Sequence, residues 1–125
     1  MLKLVTKETK HIIEYMGAKF EVVPMTKERH RELIEKHTSW VSVKKSKTSR
    51  PEYVEKTDFL AIMIDKVDEQ IVGWSGIAGN PECNTANKRD LANRPENKHI
   101  CEYILEEIEN IGNAVAEEEE KIAKN

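Results

Sequence analysis

The spacing of the apolar residues changes at Pro24, and this change constrains the fold more than any other feature of the chain. Before it, apolar and polar residues alternate in three short stretches, at Leu2 and Leu4, Ile13 and Tyr15, and Phe20 and Val22. A strand with one buried face has this spacing. Gly17 offers a turn, so Ile12 to Tyr15 and Phe20 to Val23 are predicted to form a hairpin in a small antiparallel sheet.

Helical spacing begins after Pro24. Thr26 suits the N-cap of a helix, because its hydroxyl can accept a hydrogen bond from a backbone amide of the first turn. Apolar or semi-apolar positions then follow at the i, i+3, i+4, i+7 spacing of an amphipathic helix, at His30, Leu33, Ile34 and His37. We expect this short helix to end at Thr38 and Ser39.

A long second helix is predicted from Glu52 to Trp74. Pro51 suits its first turn, where the missing backbone N–H has no intrahelical partner to lose. Five residues recur three or four positions apart and form a broad apolar face: Phe59, Met63, Val67, Ile71 and Trp74. Close-set glycines and Pro81 are expected to end the helix. Its acidic residues are assigned to a solvated side: Asp58, Asp65, Asp68 and Glu69.

Two further helices complete the predicted fold. Asn84 or Thr85 can cap a short helix that runs through Ala92 and ends before Pro95, and Asn97 can cap a last helix that starts near Lys98. In the last helix five apolar residues recur at heptad spacing: Cys101, Ile104, Ile108, Ile111 and Val115. Such a seam packs on another helix, either within the chain or across a subunit boundary.

The predicted fold class is α+β and predominantly α, with a small N-terminal antiparallel sheet followed by three or four helices. A length of 125 residues normally makes one domain, so a single domain over residues 1–125 is expected. The two longest helices, Glu52 to Trp74 and Lys98 to Lys121, are expected to pack on each other.

Hydropathy and charge exclude several classes of protein. The longest uninterrupted apolar run, Phe59 to Ile64, has six residues, far below the roughly 18 to 20 that a membrane-spanning helix requires. No apolar stretch with a small-residue cleavage site follows Met1. The chain is therefore assigned to the cytoplasm, without a membrane. A net charge of −3 is too balanced for a general nucleic-acid binder.

One basic segment leaves an alternative open. Lys44 to Arg50 collects four basic side chains among serines and a threonine, and no residue in it can anchor a core. We expect an exposed, mobile loop from Ser42 to Arg50. Such a loop can follow a nucleic-acid backbone, with Trp40 and Tyr53 as flanking stacking groups. A small nucleic-acid-binding regulator is therefore the alternative function.

The sequence contains no arrangement of residues that we expect to form a catalytic or metal-binding site. Cys83 has no Cys-x-x-Cys partner, and His99 and Cys101, two positions apart on a helix, point in different directions. Both cysteines are interpreted as buried or half-buried thiols. Gly73, Gly76 and Gly79 end a helix and do not open one, unlike a phosphate-binding loop. We therefore expect no enzyme, no cofactor and no metal.

Several segments together resemble the tail assembly chaperones of long-tailed bacteriophages and prophages. They are the stretch from Phe20 to Thr26, the helix from Glu28 to Lys36, the segment Ile71 to Gly79 with the sequence Ile-Val-Gly-Trp-Ser-Gly-Ile-Ala-Gly, the segment Cys83 to Asn87, Leu91, and the acidic final helix. The resemblance covers most of the chain from Phe20 onward.

The resemblance implies a small, non-enzymatic protein. Members of the family are thought to bind the hydrophobic tape measure protein and hold it soluble while tail tube subunits polymerise around it. Many self-associate, so a homo-oligomer is a further expectation. The residues assigned to partner binding are Trp74, Ile104, Ile108, Ile111 and Val115. A core role is the alternative for each of them.

Overall fold

A computed structural model describes residues 10–44, 46–48 and 50–124, with side chains to residue 116. The first predicted strand, at Leu2 and Leu4, lies outside the described residues. Within these residues the fold has the predicted α+β class, with four α-helices and two small antiparallel sheets. In chain order the elements are β1 His11–Tyr15, β2 Ala18–Val22, α1 Lys27–Lys36, β3 Thr38–Val43, β4 Glu52–Thr57, α2 Phe59–Gln70, β5 Ile71–Ser75, α3 Thr85–Asn93, a 3₁₀ turn Pro95–Asn97, and α4 Lys98–Lys124.

The predicted N-terminal hairpin is confirmed. β1 and β2 pair antiparallel with Tyr15 opposite Ala18, so the turn contains only Met16 and Gly17. Both turn residues have positive φ angles, 47° and 85°, as the tight hairpin turn that follows the natural strand twist requires. Ile13, Phe20 and Val22 are buried on one face of this pair.

The long helix predicted from Glu52 to Trp74 is wrong at both ends. β5 occupies its last residues and pairs antiparallel with β2, giving a three-stranded sheet in the order β1-β2-β5. The register shifts between Glu21 and Val22, and there Gly73 lies so close to β2 that a Cβ would stand 2.8 Å from the Glu21 Oε2 atom. Trp74 is therefore on a strand opposite Phe20.

A second hairpin replaces the start of that helix and part of the predicted loop. β3 and β4 pair over six positions, from Thr38 opposite Thr57 to Val43 opposite Glu52. The apolar spacing around Tyr53 and Val54 fits a strand, and Asp58 begins α2 by accepting a hydrogen bond from the Ala61 amide at 3.1 Å. The helix therefore starts seven residues later than predicted.

The starts of the remaining helices follow the predicted signals, but α1 ends at Lys36, before the predicted Thr38 and Ser39, which begin β3. Thr26 caps α1 by accepting from the Arg29 amide at 3.0 Å, and Asn84 caps α3 by accepting from the Asn87 amide at 2.8 Å. α4 begins at Lys98, as predicted, but the Asn97 side chain donates to the Leu91 carbonyl at 3.1 Å. Lys88 of α3 donates to the carbonyls of Asp68 and Ile71, satisfying groups at the C-terminus of α2.

The core lies where the three-stranded sheet, α2, α3 and α4 meet. Its buried members come from all four: Ile13, Phe20, Val22, Val67, Ile71, Ala92, Cys101, Ile104 and Ile108. α2 and α4 contact each other there, as predicted. Among the described residues, no helix has the length and apolar character that crossing a bilayer requires.

Candidate functional site

An open groove of about 970 Å³ lies between α2 and α4 and is closed at one side by the start of α1. α2 contributes one face of its helix: Phe59, Ile62, Met63, Lys66 and Gln70. The buried Ile62 and Ile108 form the floor, and the half-buried Met63 and Leu105 stand above it. Phe59 is 77% exposed at the rim. The groove therefore offers a buried apolar floor with partly exposed apolar side chains above it.

α4 builds the opposite wall and contains four of the residues predicted to bind a partner. Ile104 is fully buried in the core, and Ile108 is buried beneath the groove. Val115 lines the groove and is half-buried, whereas Ile111 is half-buried and packs against the core. Of the predicted seam, only Ile108 and Val115 reach the groove.

Trp74, the fifth predicted residue, lies away from the groove on β5. Its indole N–H donates to the Pro81 carbonyl at 2.8 Å, and its half-buried ring packs against the core. Together with Ile77 and Leu91 it lines a separate cavity of about 220 Å³. The structure therefore does not bring Trp74 together with the α4 residues.

The groove also carries titratable side chains. Burial and the nearby Lys66 lower the pKa of His30. Burial lowers the pKa of Lys66 as well, while the charge of Glu109 on α4 acts in the opposite direction. A carboxylate that pairs with Lys66 here would interact with it more strongly than in bulk water, because the effective dielectric constant is lower in a partly desolvated site.

The β3–β4 hairpin is a second exposed apolar surface. None of the residues of its two strands is buried. Paired residues of two strands share a face, so Trp40 and Tyr53 lie diagonally on one face, while Val41, Val43 and Val54 lie on the other. Trp40 and Tyr53 are 65% and 66% exposed. Lys44, Lys47 and Arg50 follow at the tip; Lys45 and Ser49 lie outside the described residues.

A buried carboxylate, Asp65, joins three helices. The predicted solvated position is wrong, because Asp65 is 5% exposed. Its oxygens accept hydrogen bonds from His37 Nε2 at 2.6 Å and from an Arg89 nitrogen at 2.8 Å, with Lys36 Nζ at 3.4 Å. Burial raises the pKa of Asp65, but these hydrogen bonds and the Lys36 charge outweigh burial and lower it to about 2.

The other predicted acidic residues of α2 are also engaged. Asp68 forms ion pairs with Lys88 and Arg89, both at 3.3 Å, and Glu69 pairs with Arg29 of α1. Both oxygens of Asp65 are occupied by cationic or imidazole donors from outside α2. This arrangement holds α1 and α3 against α2, and it leaves the carboxylate no free oxygen for acid–base chemistry.

The cysteines do not form a reactive site. Cys83 is half-buried and Cys101 is buried, as predicted. Burial raises the pKa of the Cys101 thiol to about 11 and also raises that of Cys83, so neither is activated as a thiolate. In the part of the chain that the structure describes, no three His, Cys, Asp or Glu side chains converge to hold a metal ion.

The sequence pattern did not identify the groove residues Met63, Lys66 and Leu105 as a site. The signal was present on α2, where Phe59, Met63 and Lys66 are spaced as one helix face. The sequence does not show which helix faces this one across the groove. Leu105 lies beside the predicted seam on α4, and the face of α2 opposite it comes from a distant part of the chain.

No protein-family model, curated protein or solved structure matches the chain.

Proposed function

We propose that this chain is a tail assembly chaperone of a long-tailed phage or prophage. It binds apolar helical segments of the tape measure protein in the groove between α2 and α4 and keeps them soluble in the host cytoplasm while the tail tube assembles. It performs no chemistry. The single observation that carries the proposal is this open groove, in which the partly exposed apolar side chains of Phe59, Met63 and Leu105 lie above a buried apolar floor.

The shape of the groove supports a helical occupant. Its α4 wall extends from Glu102 to Ala116, about 21 Å at the rise of an α-helix. A partner helix of similar length can place one apolar face on Met63 and Leu105 while its polar face stays in water, which is the helix-in-groove mode of recognition. The resemblance in sequence points to the tape measure protein as the source of that helix.

Co-expression tests the proposal. The probe is a helical fragment of the tape measure protein encoded beside this chain, chosen because it is insoluble when expressed alone. We expect it to become soluble with the wild-type chain and to stay insoluble with Leu105→Asp, because a carboxylate beside the apolar floor must lose its water when the helix binds. Ile12→Asp, on an exposed position of β1 outside the groove, is the matched control.

Two results would contradict the proposal. One is a fragment that stays insoluble with the wild-type chain, or that becomes equally soluble with Leu105→Asp. The other is a gene neighbourhood without tail tube and tape measure genes. Met63→Lys, on the opposite wall, repeats the test if Leu105→Asp fails to fold by circular dichroism.

The hairpin supports a second candidate function, nucleic-acid binding. Trp40 and Tyr53 lie on one face beside the basic tip, an arrangement suited to stacking on bases while Lys44 and Lys47 contact phosphates. Glu52 and Glu55 on β4 reduce the positive charge of this surface. A labelled oligonucleotide should bind more weakly as salt rises if the contact is real. Unchanged mobility at both low and physiological salt would exclude this function.

A further inference from the structure

The two walls of the groove carry different charges. Among the residues whose side chains the structure describes, the α4 wall has three exposed carboxylates and no cation: Glu102, Glu106 and Glu109. The opposite wall, from α1 and α2, has two lysines, a histidine and a single carboxylate: Lys27, Lys66, His30 and Glu28. A helix lying on the floor would therefore have carboxylates along one flank and ammonium groups along the other.

Several of these charges are available to a partner. Glu102 pairs with Lys98 of its own helix at 3.9 Å, but among the described residues Lys66, Glu106 and Glu109 have no ion-pair partner within 4 Å. Lys66 and Glu109 lie on opposite walls, and the charge of Glu109 acts on Lys66 without an ion pair between them. The space between them is where the occupant would lie.

We infer that the groove selects a helix whose apolar stripe is flanked by basic side chains on the α4 side and by acidic side chains on the Lys66 side. This inference rests on the proposed function, because it specifies the helix that the same groove binds. If such a helix were bound in the opposite direction, with its apolar stripe still on the floor of the groove, its basic flank would face the Lys66 side and its acidic flank the α4 side. The charges of the walls therefore also fix the direction of the bound helix.

Three synthetic peptides of about 16 residues, or ~24 Å as helices, test the inference. All share one apolar stripe; the first has lysines on one flank and glutamates on the other, the second has lysines on both flanks, and the third has glutamates on both. We expect the first to bind about tenfold more tightly than either of the others at low salt, since exposed ion pairs contribute modestly and several act together. The difference should shrink as salt rises.

A charge-reversed wall should change the order of the peptides. In the double variant Glu106→Lys and Glu109→Lys both walls are basic, so the peptide with glutamates on both flanks should become the tightest. The control is Glu35→Lys with Glu107→Lys, which changes the net charge equally at positions outside the groove and should keep the wild-type order.

The outcomes separate the inference from the function. If all three peptides bind equally and Leu105→Asp abolishes binding, the charge selection is wrong and the groove remains the binding site. If the control variant changes the order as the groove variant does, net charge explains the preference and the inference is overturned. If none of the peptides binds, both the inference and the helix-binding groove are overturned.

Discussion

The groove and the β3–β4 hairpin both expose apolar side chains, but they differ in what lies beneath them. The groove is floored by Ile62 and Ile108, which are buried in the body of the protein. β3 and β4 contain no buried residue, and hydrogen bonds at the base of the hairpin run from the Thr38 hydroxyl to the Ile34 carbonyl and from the Asp58 amide to the His37 carbonyl, while the Thr57 hydroxyl donates to that of Thr38 across the strands. A preformed apolar surface on a rigid base loses little entropy when a partner binds. The comparison therefore favours the groove as the partner site.

The largest expected effect is the loss of stability when a core side chain is shortened, compared with the same change on the hairpin. Ile104→Ala should lower the free energy of unfolding by about 2–5 kcal/mol, because it leaves a cavity at a fully buried position. Val54→Ala on the exposed hairpin should change it by less than about 0.5 kcal/mol. Urea denaturation measures both. Equal losses in the two variants would mean that the hairpin is packed as firmly as the core.

Acid should weaken the junction where the hairpin joins the body. The pKa of Asp65 is lowered to about 2 in the folded state, below the usual ~3.9 of the unfolded chain. This contribution to stability is therefore nearly complete above about pH 5 and is lost progressively as the pH falls towards 1, with a total of about 2–3 kcal/mol. Denaturation at a series of pH values measures it.

The control for this prediction is Asp65→Asn, which keeps the shape of the side chain and removes its titration. We expect the variant to be less stable at pH 7 and to lose less additional stability between pH 4 and 2 than the wild type does. An identical acid dependence in both proteins would assign the titration to other carboxylates.

Substituting one exposed aromatic residue on each surface tests which of the two surfaces binds the peptide. Phe59→Ser at the groove rim should weaken binding of the peptide with lysines on one flank and glutamates on the other about tenfold, because a bound helix would cover much of the exposed ring and remove apolar area from water. Trp40→Ser on the hairpin should leave that affinity unchanged. Both side chains are mostly exposed, so neither change should alter stability by more than about 0.5 kcal/mol. Weaker binding by Trp40→Ser alone would move the partner site to the hairpin.

Local signals in the sequence predicted the elements that depend on neighbouring residues. The β1–β2 hairpin follows from alternation around Gly17, and the caps at Thr26 and Asn84 follow from side chains that bond the next turn. The helix from Glu52 to Trp74 was wrong because its apolar spacing also fits two strands and a shorter helix. The choice between them depends on the pairing of β5 with β2, about fifty residues away.

The candidate site was less accessible to sequence reasoning than the fold. Asp65 looked solvated because the donors that bury it, His37 and Arg89, come from other parts of the chain. The seam on α4 was recognised, but a pattern of apolar residues does not separate positions that face the core, such as Ile104, from those that face a groove, such as Val115. The distinction appears only when α2 is placed opposite α4.

Hydrogen–deuterium exchange with and without the tape measure fragment tests the central claim most directly, because it monitors both surfaces in one experiment. We predict that the fragment slows amide exchange in α2 and in residues 98–116 of α4 and leaves exchange in β3 and β4 unchanged. Slower exchange confined to β3 and β4, with α2 and α4 unaffected, would contradict the claim that the groove is the binding site.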